Sequence, residues 1–247
     1  MKKTFGINGF GRIGRNALRI WWMYHRDLID LKVINTSGSM DLAGWVHLLK
    51  YDTSYGTFEP KLSFEEHQSK SDVSDEDPVL GTLLIDSYEI TVTAQRDPAK
   101  IPWSKLGVST VVESTGAFRT EEKARLHLKG GAKKVLLSAP DKGGDFSVSV
   151  LGVNDPNPEA TLHSNASCTT NCVAPVAKIM SQNFGVEKAL LTTIHAYTDD
   201  QKIQDNSHKD LRRARAAAAN IVPTSTGAAK ATGKVVPEFK GIFDGIA

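Results

Sequence analysis

The chain is poor in cysteine, with two in 247 residues, Cys168 and Cys172. Two thiols this close make no disulfide framework, so they read as cytosolic thiols. A C-x3-C pair without partnering cysteines or histidines is also a poor zinc pattern, and no metal is expected. There is no run of 18 apolar residues, hence no expected membrane span. The start, Met-Lys-Lys-Thr-Phe-Gly, lacks the apolar stretch of a signal peptide, and the expected location is the cytoplasm. No run of Lys and Arg exceeds two, and the formal charge is +2. That leaves no basic footprint for nucleic acid or a membrane surface. An apolar fraction of 40% and a charged fraction of 23% are ordinary for a globular protein.

The order of the patterns points to an α/β fold. Residues 2–8 read as a buried strand, 13–24 as a helix, 31–35 as a second strand and 41–49 as a helix. Residues 61–66, 82–86 and 88–94 read as antiparallel strands. Between them, SKSDVSDEDP (69–78) is polar and acidic and reads as an exposed loop. A strand at 108–113, a helix at 121–128 and a strand at 134–137 complete a pattern that argues for a parallel sheet with crossovers. A helix over 169–183 and a strand over 187–197 follow, then a long polar segment, 198–220. The expected division is a Rossmann dinucleotide-binding domain over 1–164 and an incomplete α+β catalytic domain over 165–247.

Gly9-Phe10-Gly11-Arg12-Ile13-Gly14 is G-x-G-x-x-G between a predicted strand and a predicted helix. In that context Gly9 permits the tight turn, Gly11 lets a pyrophosphate approach the backbone, and Gly14 lets helix and sheet pack closely. The phosphate would sit at the positive end of the helix. The alternative is a glycine turn without a ligand.

Ser167-Cys168-Thr169 precedes a helical pattern, and a thiol at a helix N-terminus is shifted towards thiolate. His195, at the end of LLTTIH, could serve as its base. Spacing alone leaves a structural cysteine and an unrelated histidine equally open. Cys172, one helical turn further on, reads as a core residue.

Beyond these readings, the chain resembles phosphorylating glyceraldehyde-3-phosphate dehydrogenases of the tetrameric type. The resemblance rests on GINGFGRIGR (6–15), HLLKYD (47–52), QRDP (95–98), ESTGAF (113–118), GGAKKVLLSAP (130–140), SNASCTTNC (164–172), HAYTDDQ (195–201), HKDLRRARAAAANIVPTSTGAAKA (208–231) and GKVVPE (233–238). It implies that Cys168 is the nucleophile and His195 its activator, in an NAD(P)-dependent aldehyde oxidoreductase that makes 1,3-bisphosphoglycerate through a thioester. It implies that Ser167, Thr169, Arg213, Thr226 and Gly227 hold the attacking phosphate, and that Thr198 and Asp200 line the site for the substrate's own phosphate. Some of the Arg212–Arg215 cluster would instead face solvent or a neighbouring subunit. Arg12, Ile13, Arg96 and Ser138 match cofactor-binding positions, and segment 197–220 resembles the loop that crosses to a neighbour in the family's homotetramer.

Three departures from that pattern matter. Thr36, Ser37, Gly38 and Ser39 stand where NAD-specific members carry an acid, and Ser207 stands where they commonly have proline. The expectation is that NADP is used as well as NAD, with the preference between them left open. The loop 69–78 is longer than usual. The sequence ends at GIFDGIA, before the family's fold is finished, so the chain by itself is expected to be unstable or inactive. Competing readings are an erythrose-4-phosphate dehydrogenase and a non-catalytic cofactor-binding fragment.

Overall fold

A computed structural model describes residues 2–247. The strands are β1 (Lys3–Asn8), β2 (Ile29–Thr36), β3 (Tyr51–Asp52), β4 (Gly56–Thr57), β5 (Leu62–Glu66), β6 (Val79–Ile85), β7 (Tyr88–Ala94), β8 (Thr110–Glu113), β9 (Lys134–Leu137), β10 (Ser147–Val148), β11 (Leu162–Ser164), β12 (Ala189–Thr192) and β13 (Phe243–Ile246). The α-helices are α1 (Arg12–Ile20), α2 (Leu42–Lys50), α3 (Glu121–Lys129), α4 (Cys168–Phe184) and α5 (Ala228–Val235). The chain divides into two compact units: one runs to Ser147 and takes in Pro156–Asn165, the other comprises Val148–Asp155 and Ala166–Ala247.

The large sheet runs β10-β11-β9-β8-β1-β2-β7-β6-β5. Strands β11, β9, β8, β1, β2 and β7 are parallel, while β6 and β5 add an antiparallel edge. Taken in chain order, the six parallel strands lie as 3-2-1-4-5-6, the doubly wound Rossmann arrangement. Strand order reverses between β1 and β8, which makes their carboxyl ends the topological switch point where ligands bind in such sheets. Buried side chains such as Ile7, Ile34, Val111 and Val135 come from strands covered on both faces.

The helix expected over 13–24 is α-helical only to Ile20, and Trp21–His25 winds as a π-helix. The wider turn lets two consecutive indoles be buried together. Trp21 and Trp22 both stack edge-on against Tyr88, and Trp21 Nε1 donates to the Ile29 carbonyl at 2.7 Å.

A buried polar chain ties the carboxyl ends of β8, β1, β2 and β7. Asn8 donates to Glu113 at 2.5 Å, Asn35 donates to Asn8 at 2.7 Å, and Thr93 donates to Asn35 at 2.8 Å. Trp103 Nε1 donates to His127 Nδ1 at 3.2 Å. An indole N–H only donates, so His127 carries its proton on Nε2 and gives it to Glu113 at 2.9 Å. The Gly9 N–H donates to the Asn35 carbonyl at 2.9 Å, which joins the glycine turn to this chain. Every member is buried and partnered, the condition under which such a network rigidifies a fold.

In the second unit, α4 buries Thr170, Ala174 and Ala177, spaced along one helical stripe. Ala174 and Ala177 share a core with Val150, Val153, Val235 and Phe239. Cys172 lies off that stripe and is exposed, which corrects its reading as a core residue. The strand expected over 187–197 is also shorter. Among the described residues its neighbour β13 pairs with Ala189–Thr192, and His195 lies in irregular chain beyond.

Candidate active site

Helix α4 opens at Cys168. Ser167 caps it, its side chain accepting the Thr170 N–H at 3.0 Å. The residue before the cap, Ala166, is buried with φ +55°, a left-handed conformation costly to a residue with a Cβ. The chain therefore bends sharply into the helix and presents Cys168 to solvent at its positive end.

His195 Nε2 stands 3.2 Å from Cys168 Sγ. Its Nδ1 is 2.7 Å from the Ala196 carbonyl, which can only accept, so Nδ1 carries a proton and Nε2 is the nitrogen that trades one with sulfur. Partial desolvation pushes the Cys168 thiol up, but the hydrogen bond with His195, with help from Thr169, outweighs it and holds the pKa below an ordinary thiol's. The Ala196 carbonyl and the sulfur together raise the pKa of His195. Each shift favours a thiolate beside an imidazolium.

Asp200 forms an ion pair with Arg213. The Arg213 guanidinium also donates to Thr224 Oγ1, at 2.6 Å from Nη2 and 3.2 Å from Nε. The pairing with Arg213 holds the Asp200 carboxyl below the usual carboxylate range. Thus Asp200 and Arg213, expected in two different anion sites, share one ion pair, and His208 stands 3.6 Å from the same carboxylate. Thr198 lies on the turn before Asp200, its N–H donating to Gln201 at 3.2 Å. Thr226 accepts the Ala228 N–H at 3.1 Å and Gly227 is the N-cap of α5. Ser167 and Thr169 sit at the corresponding end of α4. Ser207 is exposed, with its N–H on Asn206 Oδ1 at 2.7 Å.

In the first unit the glycine turn is tightly packed at its first and third glycines and open at its second. Gly9 has φ +93°, and a Cβ there would lie 2.7 Å from the Thr115 side chain. A Cβ on Gly14 would fall on the Gly9 carbonyl, while one on Gly11 would meet nothing within 4 Å. Space therefore opens at Gly11, where first-turn N–H groups of α1 lack a side-chain cap. Ile13 borders it, half exposed. Arg12 is fastened by Asp52 at 2.7 and 3.1 Å and lies over the Tyr55 ring. Burial pushes the Asp52 carboxyl up, but the Tyr55 N–H, Arg12 and the Ser54 N–H outweigh it and bring it down to about 2. Ser138 follows β9, its N–H on the Glu113 carbonyl at 3.0 Å.

Thr36 ends β2 buried, donating to the Thr93 carbonyl at 3.2 Å and accepting the Gly38 N–H at 3.3 Å. It shapes the turn, and the outward hydroxyls are those of Ser37 and Ser39. Arg96 Nε lies 3.3 Å from the Ser37 carbonyl, so two expected cofactor residues, Ser37 and Arg96, do meet.

Family models match both units: "Glyceraldehyde 3-phosphate dehydrogenase, NAD binding domain" over residues 3–121 and the C-terminal domain of the same enzyme over 167–247. The chain belongs to the glyceraldehyde-3-phosphate dehydrogenase family. It is 51% identical to glyceraldehyde-3-phosphate dehydrogenase of Streptomyces coelicolor, over 98% of this chain and 68% of the relative. It is 47% identical to the chloroplastic glyceraldehyde-3-phosphate dehydrogenase B of Pisum sativum, over 100% of this chain and 52% of that one. The Bacillus cereus enzyme 1 is 48% identical, with 67% of its length covered. An N-terminal NAD-binding Rossmann domain is thus followed by an α+β domain of an NAD(P)-dependent oxidoreductase family. Among the described residues no helix is long and apolar enough to cross a membrane.

Sequence reasoning missed Asp52 as the anchor of Arg12, Thr224 and His208 around Arg213 and Asp200, and the Ala196 carbonyl that sets the histidine tautomer. Each is a single polar residue or backbone group, and no spacing rule marks such partners.

Proposed function

We propose that this chain carries the oxidative phosphorylation of glyceraldehyde 3-phosphate to 1,3-bisphosphoglycerate with NAD(P) and inorganic phosphate. The observation that carries the reading is the 3.2 Å Cys168–His195 pair at the start of α4. Residues 1–164 serve as the dinucleotide-binding domain and 165–247 as the catalytic domain, in a cytoplasmic homotetramer. The Cys168 thiolate attacks the aldehyde carbon to form a hemithioacetal. Its oxyanion is held by the Cys168 N–H and His195 Nε2. When bound, the nicotinamide supplies the acceptor for the hydride from that carbon. Having given its Nε2 proton to that oxyanion, the neutral His195 imidazole takes the proton back as the hydride leaves and the carbonyl of the thioester forms. A phosphate oxygen then attacks that carbonyl, the carbon–sulfur bond breaks, and the thiolate leaves beside the imidazolium.

Gly9, Gly11, Arg12, Ile13, Gly14 and Ser138 fit a dinucleotide's pyrophosphate arm, since the open space lies at Gly11. Ser37 and Arg96 serve the ribose over the turn that Thr36 shapes, with Ser207 supplied by a neighbouring subunit, and the absence of a carboxylate beside Ser37 lets NADP enter as well as NAD. Ser167, Thr169, Arg213, Thr226 and Gly227 bind attacking phosphate, and Thr198 and Asp200 border the substrate's own phosphate.

The test is Cys168→Ser in the active enzyme. Dehydrogenase activity is expected to fall by more than about a thousandfold, since a serine hydroxyl is not ionised near neutrality. Retention within tenfold of the original would sink the assignment. For the cofactor, a kcat/KM ratio of NAD over NADP above about a hundred, near 2.7 kcal/mol, would reject dual use.

A further inference from the structure

The acidic loop 69–78, with no role in the reaction above, reaches back to the carboxyl ends of two adjacent parallel strands. Lys70 Nζ lies 3.5 Å from the Ser39 carbonyl, on the turn that follows β2. Asp75 accepts from Gln95 at 2.9 Å and pairs with Lys100, on the turn that follows β7. Gln95 is buried and is itself held twice, its N–H by Asn35 at 3.0 Å and its side-chain oxygen by the Asp97 N–H at 2.9 Å. Arg96 stands between these anchored residues and points to the Ser37 carbonyl. Val73 packs on the main core, so the loop is seated rather than trailing.

We propose that loop 69–78 is the outer wall of the ribose 2′-site, with Lys70 a second cation for a 2′-phosphate and Asp75 the residue that positions Arg96 through Gln95 and Lys100. The inference rests on the dual-cofactor reading given above. Two cations then flank one short turn, Ser37-Gly38-Ser39, whose hydroxyls lie 3.0 Å apart and face outward. Gly38, at φ +68°, turns the chain there. A phosphate dianion there meets hydroxyl donors with positive charge on both sides. Three of the loop's four acids are engaged elsewhere: Asp75 by Lys100 and Gln95, Asp72 by the Ser69 hydroxyl at 2.9 Å, and Asp77 by the Val79 N–H at 3.3 Å.

Calorimetric titration of the full chain with 2′-phospho-ADP-ribose and with ADP-ribose tests this without turnover. Lys70→Gln should lower the ratio of the two affinities by roughly three- to tenfold, with less effect at high salt, and Lys70→Arg should restore it. Asp75→Ala should lower the same ratio and speed amide exchange over 69–78 and 95–100. Arg96→Gln separates the two ideas. If it lowers the ratio while Lys70→Gln and Asp75→Ala leave it alone, the loop has no part and the proposal falls, with dual cofactor use intact. If neither Arg96→Gln nor Lys70→Gln moves the ratio, and ADP-ribose binds more than about a hundredfold tighter, both fall together.

Discussion

Gly14 packs so closely on Gly9 that a Cβ at position 14 would overlap the Gly9 carbonyl oxygen. At Gly11, between them, a Cβ would point into open space, and its φ of −69° suits any residue. One motif thus holds a glycine that packing demands and a glycine that packing does not, and they should fail differently. Gly14→Ala should destabilise the chain by roughly 2–3 kcal/mol, an overpacking cost, and lower its melting temperature. Gly11→Ala should keep the melting temperature within about 2 °C, the scale of a surface change, yet weaken ADP-ribose binding at least tenfold. Equal losses of stability in the two variants would contradict this division.

The thiol should report its neighbour directly. With Cys172→Ser to remove the second exposed thiol, alkylation of Cys168 by iodoacetamide should follow a pKa below the ordinary value of about 8.5. The sign follows from the pair: His195 is shifted up and Cys168 down, so the two titrations are drawn towards each other and the thiolate–imidazolium form is favoured. His195→Asn removes the positive partner and should move the alkylation midpoint towards higher pH. An unmoved midpoint would mean that the contact does not activate the sulfur.

The doubly wound sheet was legible because its strands are near-continuous apolar runs split by helices, and the glycine turn stood in the strand–helix context that gives it meaning. Cys168 and His195 were legible as residues, and as a pair through the resemblance but not from their spacing. Their proximity depends on irregular chain after β12, and the strand expected to aim His195 stops at Thr192. Thr36 was legible as a non-acid at the end of β2, but not as a buried residue bonded to Thr93. That outcome depends on β7 lying beside β2, a non-local pairing. The loop 69–78 read as exposed because its composition is polar. Its anchorage through Lys70 and Asp75 uses those same polar residues, and a composition reading cannot separate a solvated charge from a paired one.

Asp52 holds Arg12 at the mouth of the glycine turn, with its carboxyl brought down to about 2. A depressed carboxylate stabilises the fold above its unfolded pKa of about 3.9 and loses that contribution as pH falls through its folded value. Stability should therefore decline between about pH 4 and pH 2 in part through this group. Arg12 is 48% exposed, so solvent screens the pair. Asp52→Asn should cost roughly 1 kcal/mol at pH 7, or about 2–4 °C, and flatten the acid limb of the stability curve. Melts recorded from pH 2 to pH 7 decide it. A variant whose acid limb matches the parent's would place the titration elsewhere.

Arg213 meets two partners of different kinds, the Asp200 carboxylate and the Thr224 hydroxyl. Its guanidinium is thereby fixed in plane with donors at known angles, which a lysine ammonium on the same stem cannot reproduce. If that fixed fork is what receives inorganic phosphate, Arg213→Lys keeps the charge and loses the geometry. The KM for phosphate should rise about tenfold or more, the order of one charge-assisted bidentate contact, while Cys168 alkylation is unchanged. Asp200→Asn should act in the same direction and more weakly, because it frees the guanidinium without removing it. Loss of alkylation in Arg213→Lys would instead show that the arginine supports the fold around the thiol. In that case the rise in KM would be secondary. Alkylation and phosphate kinetics on the same preparation separate these outcomes.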